Sequence, residues 1–265
     1  MLSTIADYQR ISKDMTRSLS LTAKKPDVSR ETTYYLANIG KVKSIDDFLK
    51  DYRLYSYAMK AFGLSDMTYA KAFMRKVLTE GIADSKSFAN KLSDTRYREF
   101  AAAFNFAALG SNATNTTAAT TGAATKYVQQ VMEEEAGSQN EGVRLALYFV
   151  RKAASIKNPY QILADKALTQ VVQTALGLSP TISSADIDKQ ASMLSKLIKL
   201  SDFQDPTKVN QFAQRFAAMW DANQAASGIN NGTSNNPALI LIGQSTTTRL
   251  DSDMLSKLQS IRFGR

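Results

Sequence analysis

Apolar side chains recur at helical spacing from the start of the chain. Ile5, Tyr8, Met15 and Leu19 lie three, seven and four positions apart, which places them on one stripe of a helix. Charged residues occupy most of the other positions. The pattern predicts one helix over residues 3–20.

A second helix is predicted over residues 28–39, between Pro26 and Gly40. Proline disfavours helical geometry at the residue before it, and glycine is common just after a helix end. The N-terminal helices, residues 3–40, have two interpretations. They pack on the chain's own domain, or they form a docking element for another subunit.

Residues 44–110 are the densest run of aromatic, aliphatic and charged residues in the chain. Several helices are predicted there, and each has its own polar start and glycine stop. The starts are Ser44, Ser65 or Asp66, Asp84 and Asp94, and the stops are Gly63, Gly81 and Gly110.

The composition changes over residues 111–125, which carry no charge and no large apolar side chain. Such a segment contributes little to a core, so a flexible loop is predicted there. Helices are predicted over residues 126–136, 141–156 and 206–226. The fourth glutamate-rich turn of the first of these is treated below with the other charges.

Two elements are predicted near the end of the chain. Residues 238–243, ALILIG, are too few for a core helix between the flanking breakers. They predict a short β segment or an extended packing segment. Residues 252–261 predict a last helix.

Part of the pattern of residues 44–110 returns about a hundred residues later, where residues 48–67 align with residues 162–181. The match keeps apolar and turn positions and loses most charges. We infer two related helical units, residues 44–110 and 158–227. The matched pairs include Asp51 with Asp165, Leu54 with Leu168, Ala61 with Ala175, Gly63 with Gly177, Phe100 with Phe212 and Phe104 with Phe216.

Together these patterns predict an all-α fold. We expect a compact multi-helix bundle, built from the two related units and forming a single domain over residues 1–265. Short helices with their own start and stop signals are typical of such a bundle.

The chain contains neither cysteine nor histidine. Their absence excludes disulfides, zinc sites of the Cys/His kind, and Ser-His or Cys-His catalysis. The glycine-rich phosphate-binding motifs are also absent. The sequence therefore assigns no catalytic, cofactor-binding or metal-binding residue, and it predicts a protein that is not an enzyme and uses no cofactor.

Asp46, Asp47 and Asp51 form the cluster that most resembles a carboxylate pair or metal site. Asp47 and Asp51 share a face if one helix spans them. The simpler interpretation is capping, because Ser44 and Asp47 have the spacing of a capping box and the helix dipole favours acids in the first turn. A carboxylate-based enzyme stays as the second alternative function.

Two other charged groups are interpreted as surface. Glu133, Glu134 and Glu135 cannot all face one ligand on a helix, and a solvated surface explains them. A basic set has two interpretations, a polar helix face or contact with an acidic partner. Its members are Lys60, Lys71, Arg75 and Lys76.

The formal net charge is +9. Nucleic-acid binders gather lysine and arginine into a patch or arm, whereas acidic residues are interleaved throughout this chain. A mixed-charge surface is the preferred interpretation. A basic nucleic-acid-binding regulatory protein is the first alternative function.

No apolar run approaches the length of about eighteen residues needed to span a membrane. The N-terminus also lacks the apolar region of a secretory signal. We expect a cytoplasmic protein, or one exported without a cleavable signal.

A resemblance to a known family lies within Ile45–Ala107, in the strings IDDFLKDYRLYSYAMKAFGL, YAKAFMRKVLTEG, SFANKLSD and FAAAFNFA. EGVRLALYF and ILADKAL…ALGL also match, so the resemblance extends from about Asp27 to Trp220. The chain resembles an uncharacterised alphaproteobacterial domain-of-unknown-function family, number twelve-seventeen. The resemblance implies no activity and no catalytic residues. Members recur beside flagellar genes, which implies a flagellar setting.

We therefore expect a non-enzymatic, flagellum-associated protein with a structural, assembly or export-related role in motility. It would act through protein–protein contacts, with flagellar components as partners and with self-association as a further option. The contact surface is expected where the first unit differs from the second, in its charges and tyrosines. The candidates are Asp47, Arg53, Tyr55, Lys60, Lys71, Arg75 and Arg98.

Overall fold

Helices and short turns make up the fold in the computed structural model, which describes residues 3–229. No strand occurs among these residues, which confirms the all-α prediction. The helices of the first half are α1 (Thr4–Ser12), α2 (Met15–Ala23), α3 (Pro26–Asn38), α4 (Ile45–Lys50), α5 (Tyr52–Ala61), α6 (Lys71–Glu80), α7 (Phe88–Lys91), α8 (Thr95–Ala103) and α9 (Phe106–Leu109).

The second half contains six further helices and begins with two antiparallel neighbours. They are α10 (Ala123–Gln139), α11 (Glu141–Ala153), α12 (Pro159–Leu163), α13 (Lys166–Leu176), α14 (Ile187–Leu197) and α15 (Pro206–Ile229).

Residues up to Asp221 form one compact unit. Ala222 begins a second unit, of which the structure describes the final turns of α15. The predicted β segment at residues 238–243 and the predicted helix at residues 252–261 lie outside the described residues.

Two hydrophobic clusters fill the interior of the first unit. In the first cluster, Phe104 packs against Phe48 and Phe100 with ring centroids 4.9 Å apart in both pairs. The second cluster is centred on Phe149 and Phe216, which are both fully buried. Aromatic side chains of this size dominate the apolar area that a core removes from water.

Helix α10 belongs to both clusters. Val131 packs in the first cluster, and the next residue, Met132, packs in the second. A helix that places neighbouring residues in two different cores has apolar contacts on opposite sides, so α10 fixes the two clusters relative to each other.

The N-terminal helices are part of the same interior. Tyr8 of α1 is buried in the second cluster, and its hydroxyl donates to Asn210 Oδ1 at 2.7 Å. The carboxylate of Asp221 accepts from the backbone N–H groups of Thr4 and Ile5, at 2.9 and 3.2 Å. The structure therefore favours packing on the chain's own domain over a separate docking element for these helices.

Aspartates interrupt two helices that the sequence pattern predicts as continuous. The helix predicted over residues 3–20 breaks at Asp14, whose carboxylate accepts from the N–H of Arg17 at 2.9 Å. In the same way, Asp51 separates α4 from α5 and accepts from the N–H of Leu54 at 3.1 Å. Aspartate offers the backbone an alternative hydrogen bond, and this starts a new helix while the apolar stripe continues.

Asp165 has the role in the second half that Asp51 has in the first. It caps α13 through two backbone N–H groups at 2.9 and 3.1 Å. Each capped helix then ends at a glycine with positive φ, +70° at Gly63 and +67° at Gly177. The aligned residues thus have matching local roles in the two stretches.

The flexible loop predicted over residues 111–125 is wrong. A 3₁₀ turn and a π-helical turn lead directly into α10. Thr114 donates to the carbonyl of Val42 at 2.8 Å, and the hydroxyl of Tyr35 donates to the carbonyl of Ala119 at 2.5 Å. Small side chains allow this backbone to approach the first cluster closely, where it is held by hydrogen bonds rather than by apolar bulk.

Replacing Gly81 by alanine is expected to destabilise the protein more than replacing Gly110. Both glycines have positive φ, +62° and +52°, where any other residue is strained. A Cβ added at Gly81 would lie 2.7 Å from Cβ of Ala107, whereas no described heavy atom lies within 4 Å of one added at Gly110.

Urea unfolding of the two variants measures the difference. We expect Gly81→Ala to lose about 1–3 kcal/mol more than Gly110→Ala, because only the first also overpacks its surroundings. Equal losses would contradict the close approach of α9 to the end of α6.

Candidate functional site

A cleft of about 590 Å³ lies between the start of α8, the α10–α11 pair and the turn between α12 and α13. We call it the charged cleft, because acidic and basic side chains alternate around its wall. Those that carry most of the bonding are Asp94, Arg96, Glu99, Glu133, Arg151 and Lys152.

The most buried charge in the cleft wall is the carboxylate of Glu133, which is 2% exposed. Arg151 donates to it from both Nε and Nη2, each at 2.7 Å. Burial lowers the pKa of the Arg151 guanidinium, but Glu133 more than offsets this and the pKa is raised. Two parallel charge-assisted bonds of this kind hold both groups in their ionised forms.

The prediction that Glu133 lies on a solvated surface is therefore wrong. An antiparallel turn at Asn140 folds α11 back along α10 and brings Arg151 against Glu133, 18 positions apart in sequence. A charged triplet looks the same in sequence whether or not a partner covers it. The position of the turn was the signal that could have revealed the pair.

Two further ion pairs line the cleft. Lys152 donates to Glu99 at 2.6 Å, and the Nη2 of Arg96 donates to Asp94 at 2.7 Å. Arg96 also donates to the carbonyl of Gly63, which joins α8 to the end of α5. Burial raises the pKa of the Asp94 carboxyl, but Arg96 more than offsets this, so the pKa is lowered.

A neutral pair closes the side of the cleft formed by the second unit. The hydroxyl of Tyr148 donates to Asp165 at 2.6 Å, so the residue that caps α13 also holds α11. Burial, followed by the Asp165 charge, raises the pKa of Tyr148 well above its usual range. Tyr148 therefore stays protonated and acts as a hydrogen-bond donor.

The polar wall of α11 was missed at the sequence stage of reasoning, because residues 145–150 look apolar and predicted a largely buried helix. Arg144, Tyr148, Arg151 and Ser155 recur four, three and four positions apart. That spacing is typical of one helix face, and all four residues line the cleft.

The arrangement holds its buried charges in pairs. Among residues 3–229, no cluster of three or more aspartate or glutamate side chains is placed to hold a metal ion. A group that transfers protons near neutral pH needs a pKa shifted towards neutrality, and the cleft's ion pairs shift theirs the other way.

A second concave surface of about 210 Å³ lies on the outer side of α3 and α5. We call it the tyrosine groove. Tyr57, at its base, is stacked between Tyr35 and Tyr127, with centroid distances of 4.2 and 3.8 Å. The remaining lining residues are Glu31, Tyr52, Arg53, Ser56, Lys60, Ser65 and Thr68.

Arg53 is fixed at the rim of the tyrosine groove. Its Nε and Nη2 donate to Glu31 at 2.9 and 3.1 Å, and its guanidinium carbon lies 3.6 Å from the ring centroid of Tyr34. Nearby, Tyr52 is 63% exposed, and Tyr69, which follows the lining residue Thr68, is 80% exposed. The surface therefore combines a fixed arginine with large exposed aromatic rings.

The seven predicted contact residues do not form one surface. Arg53 and Lys60 line the tyrosine groove, whereas Arg98 lines the charged cleft. Asp47, Lys71 and Arg75 belong to a third area, where α4 packs beside α6. In that area Arg75 pairs with the neighbouring Asp46 at 2.5 Å.

Tyr55 is wrong as a contact residue. Its side chain is fully buried and packs edge-on against Phe48, with centroids 5.9 Å apart. Its hydroxyl has no hydrogen-bond partner among the described residues, and burial raises its pKa to about 12. Tyr55 belongs to the apolar stripe of α5, which is the physical reason that it faces the core.

The structure also removes the geometric basis for a carboxylate pair at Asp47 and Asp51. The two residues lie on different helices, because the chain breaks at Asp51. Ser44 Oγ accepts from the N–H of Asp47 at 3.0 Å, as the capping interpretation predicts. Each aspartate therefore has a local role at a helix start.

No helix within residues 3–229 has the length and apolar character that a membrane span requires.

Replacing Glu133 by leucine is expected to destabilise the protein by about 3–5 kcal/mol, because it leaves the charge of Arg151 buried without a partner. Adding Arg151→Met should return most of that loss, because both charges are then absent. Urea unfolding of the single and double variants measures the recovery.

Glu134→Leu is the matched control, since Glu134 pairs with Lys60 but is 40% exposed. An exposed pair contributes about 0–1 kcal/mol, so this variant should be much less affected. A similar loss for Glu133→Leu and Glu134→Leu would contradict the assigned role of the buried pair.

Comparisons with known proteins place the chain in a family. Residues 61–209 match the profile of a family described as Protein of unknown function (DUF1217). The chain is also similar to a protein from Agrobacterium tumefaciens of known crystal structure, with 52% identity and a TM-score of 0.78 over 84% of this chain and 97% of that one. A comparison with curated proteins gave no match.

Proposed function

This chain belongs to the DUF1217 family, and from that membership we propose a non-enzymatic, flagellum-associated role in structure, assembly or export that is carried out by protein–protein contacts. The flagellar setting rests on the family resemblance, because members recur beside flagellar genes. Membership itself supplies no activity.

The observation that carries the contact proposal is the tyrosine groove. Tyrosine and arginine are enriched among the residues that dominate binding energy at protein interfaces. Tyr52 and Tyr69 present large rings to solvent beside Arg53, whose bonds to Glu31 fix it in one orientation. A side chain already fixed in place loses little conformational entropy when a partner binds.

The charged cleft supports a non-enzymatic role. Its buried carboxylate, Glu133, is fully used by Arg151, and its buried lysine, Lys152, is used by Glu99. Removing either partner would cost stability, so these groups have a structural reason to be present. The cleft is consistent with a joint between helices.

Nucleic-acid binding receives less support from the charge distribution. Basic side chains of the described surface are interleaved with acids, and several are paired with them, as Arg53 is with Glu31, Lys60 with Glu134 and Arg75 with Asp46. Binding to phosphates along a nucleic acid requires several unpaired cations on one face.

The proposal is tested in the native bacterium by deleting the gene and measuring swimming and filament assembly. Deletion is expected to reduce both, and the wild-type gene to restore them. The double variant Tyr52→Ala/Tyr69→Ala should restore them only in part, because it removes the two exposed rings while changing stability by only about 0.5 kcal/mol.

Ile187→Ala is the matched control, since Ile187 is a large apolar side chain that is 53% exposed and lies on α14. It should restore swimming fully. Normal swimming and normal filaments after deletion would overturn the flagellar role. Full restoration by the tyrosine double variant would overturn the tyrosine groove as the contact surface.

A further inference from the structure

Lys126 of α10 is a half-buried lysine without a hydrogen-bond or ion-pair partner among residues 3–229. Its ammonium nitrogen lies 5.3 Å from the ring centroid of Phe62. The face of an aromatic ring attracts a cation, but it replaces only part of the hydration that burial removes.

The charged groups that face Lys126 belong to α8 and α11. They are Glu99, Lys152 and Arg151. Glu99, the acid of this set, is bonded to Lys152 at 2.6 Å, and Arg151 is bonded to Glu133. Lys126 is therefore an additional cation beside two others whose acidic partners are already engaged.

This environment disfavours the charged form of Lys126. Burial lowers the pKa of the ammonium, Glu99 opposes this, and Lys152 and Arg151 lower the pKa further, so the net shift is downward. A lysine of this kind presents more neutral amine near pH 8 than an exposed lysine does, and the neutral amine is the nucleophile.

We propose that Lys126 is a site of acylation by small acyl phosphates, on the basis of its unpartnered amine and the two cations beside it. The cations favour an anionic acyl donor over a neutral one, because they attract the phosphate. This inference is independent of the proposed function and goes beyond it.

The reaction needs no other group. The amine lone pair of Lys126 attacks the carbonyl carbon of acetyl phosphate, and a carbon–nitrogen bond forms. The bond from that carbon to the phosphate oxygen breaks, and inorganic phosphate leaves with the electron pair. The proton lost by the amine passes to solvent, and the product is a neutral acetyl-lysine.

Acylation would remove one charge from the group around Glu99. Because Lys152 already holds Glu99, the loss of the Lys126 charge relieves repulsion and breaks no ion pair. We therefore expect the modified protein to stay folded, with a cleft wall that is one charge less positive beside Arg151.

The test treats the full-length protein with limiting acetyl phosphate over a series of pH values and measures the acetylation rate of each lysine by mass spectrometry. The quantity compared is the pH at which each rate reaches half of its plateau. That midpoint reports the amine's protonation and does not depend on how accessible the side chain is.

Lys60 is the matched control, because it also lies over an aromatic ring, 5.7 Å from the centroid of Tyr127, but is paired with Glu134 at 2.8 Å. Lys50 is an exposed control. The midpoint of Lys126 is expected at lower pH than those of both controls. A midpoint equal to or above either of them would overturn the proposal.

Two variants test the cause, and their expected shifts have opposite signs. Lys152→Met removes a neighbouring cation and frees Glu99, so the midpoint of Lys126 should move to higher pH. Glu99→Gln removes the neighbouring acid, so the midpoint should move to lower pH. An unchanged midpoint in both variants would overturn the assigned environment of Lys126.

Discussion

The buried ion pair between Glu133 and Arg151 is the interaction on which the arrangement of the helices most depends. It joins α10 to α11 at the level where Val131 and Met132 enter the two separate cores. Apolar contacts alone allow neighbouring helices to slide, whereas two bonds of 2.7 Å fix one register between them. Since desolvating both ions costs free energy, we interpret the pair as a source of specificity more than of stability.

Local signals explain why much of the fold could be predicted from the sequence. Glycine stops at Gly63, Gly81 and Gly110 and the aspartate start at Asp94 depend on residues within a few positions, and the structure has each of them. The break at Asp51 could not be seen, because the apolar stripe continues across it. The capping bond of Asp51 and the stripe both satisfy the same pattern, so periodicity alone does not separate one helix from two.

Features that depend on distant contacts were beyond the sequence. Glu133 looked solvated because its partner lies on the next helix, and residues 111–125 looked mobile because their order comes from hydrogen bonds to α3 and to the chain before α4. Of the candidate contact residues, Arg53 and Lys60 do meet in one groove. Tyr52 and Tyr69 were missed, since a single exposed tyrosine leaves no periodic signal.

The central claim is that partners bind the exposed tyrosine surface, while the charged cleft serves as a joint between helices. Site-specific photocrosslinking in motile cells tests it most directly, with a photoreactive residue at Tyr69 in one strain and at Arg98, in the cleft, in another. The account predicts a discrete crosslinked protein from position 69 and none from position 98. Crosslinking from position 98 alone would contradict it.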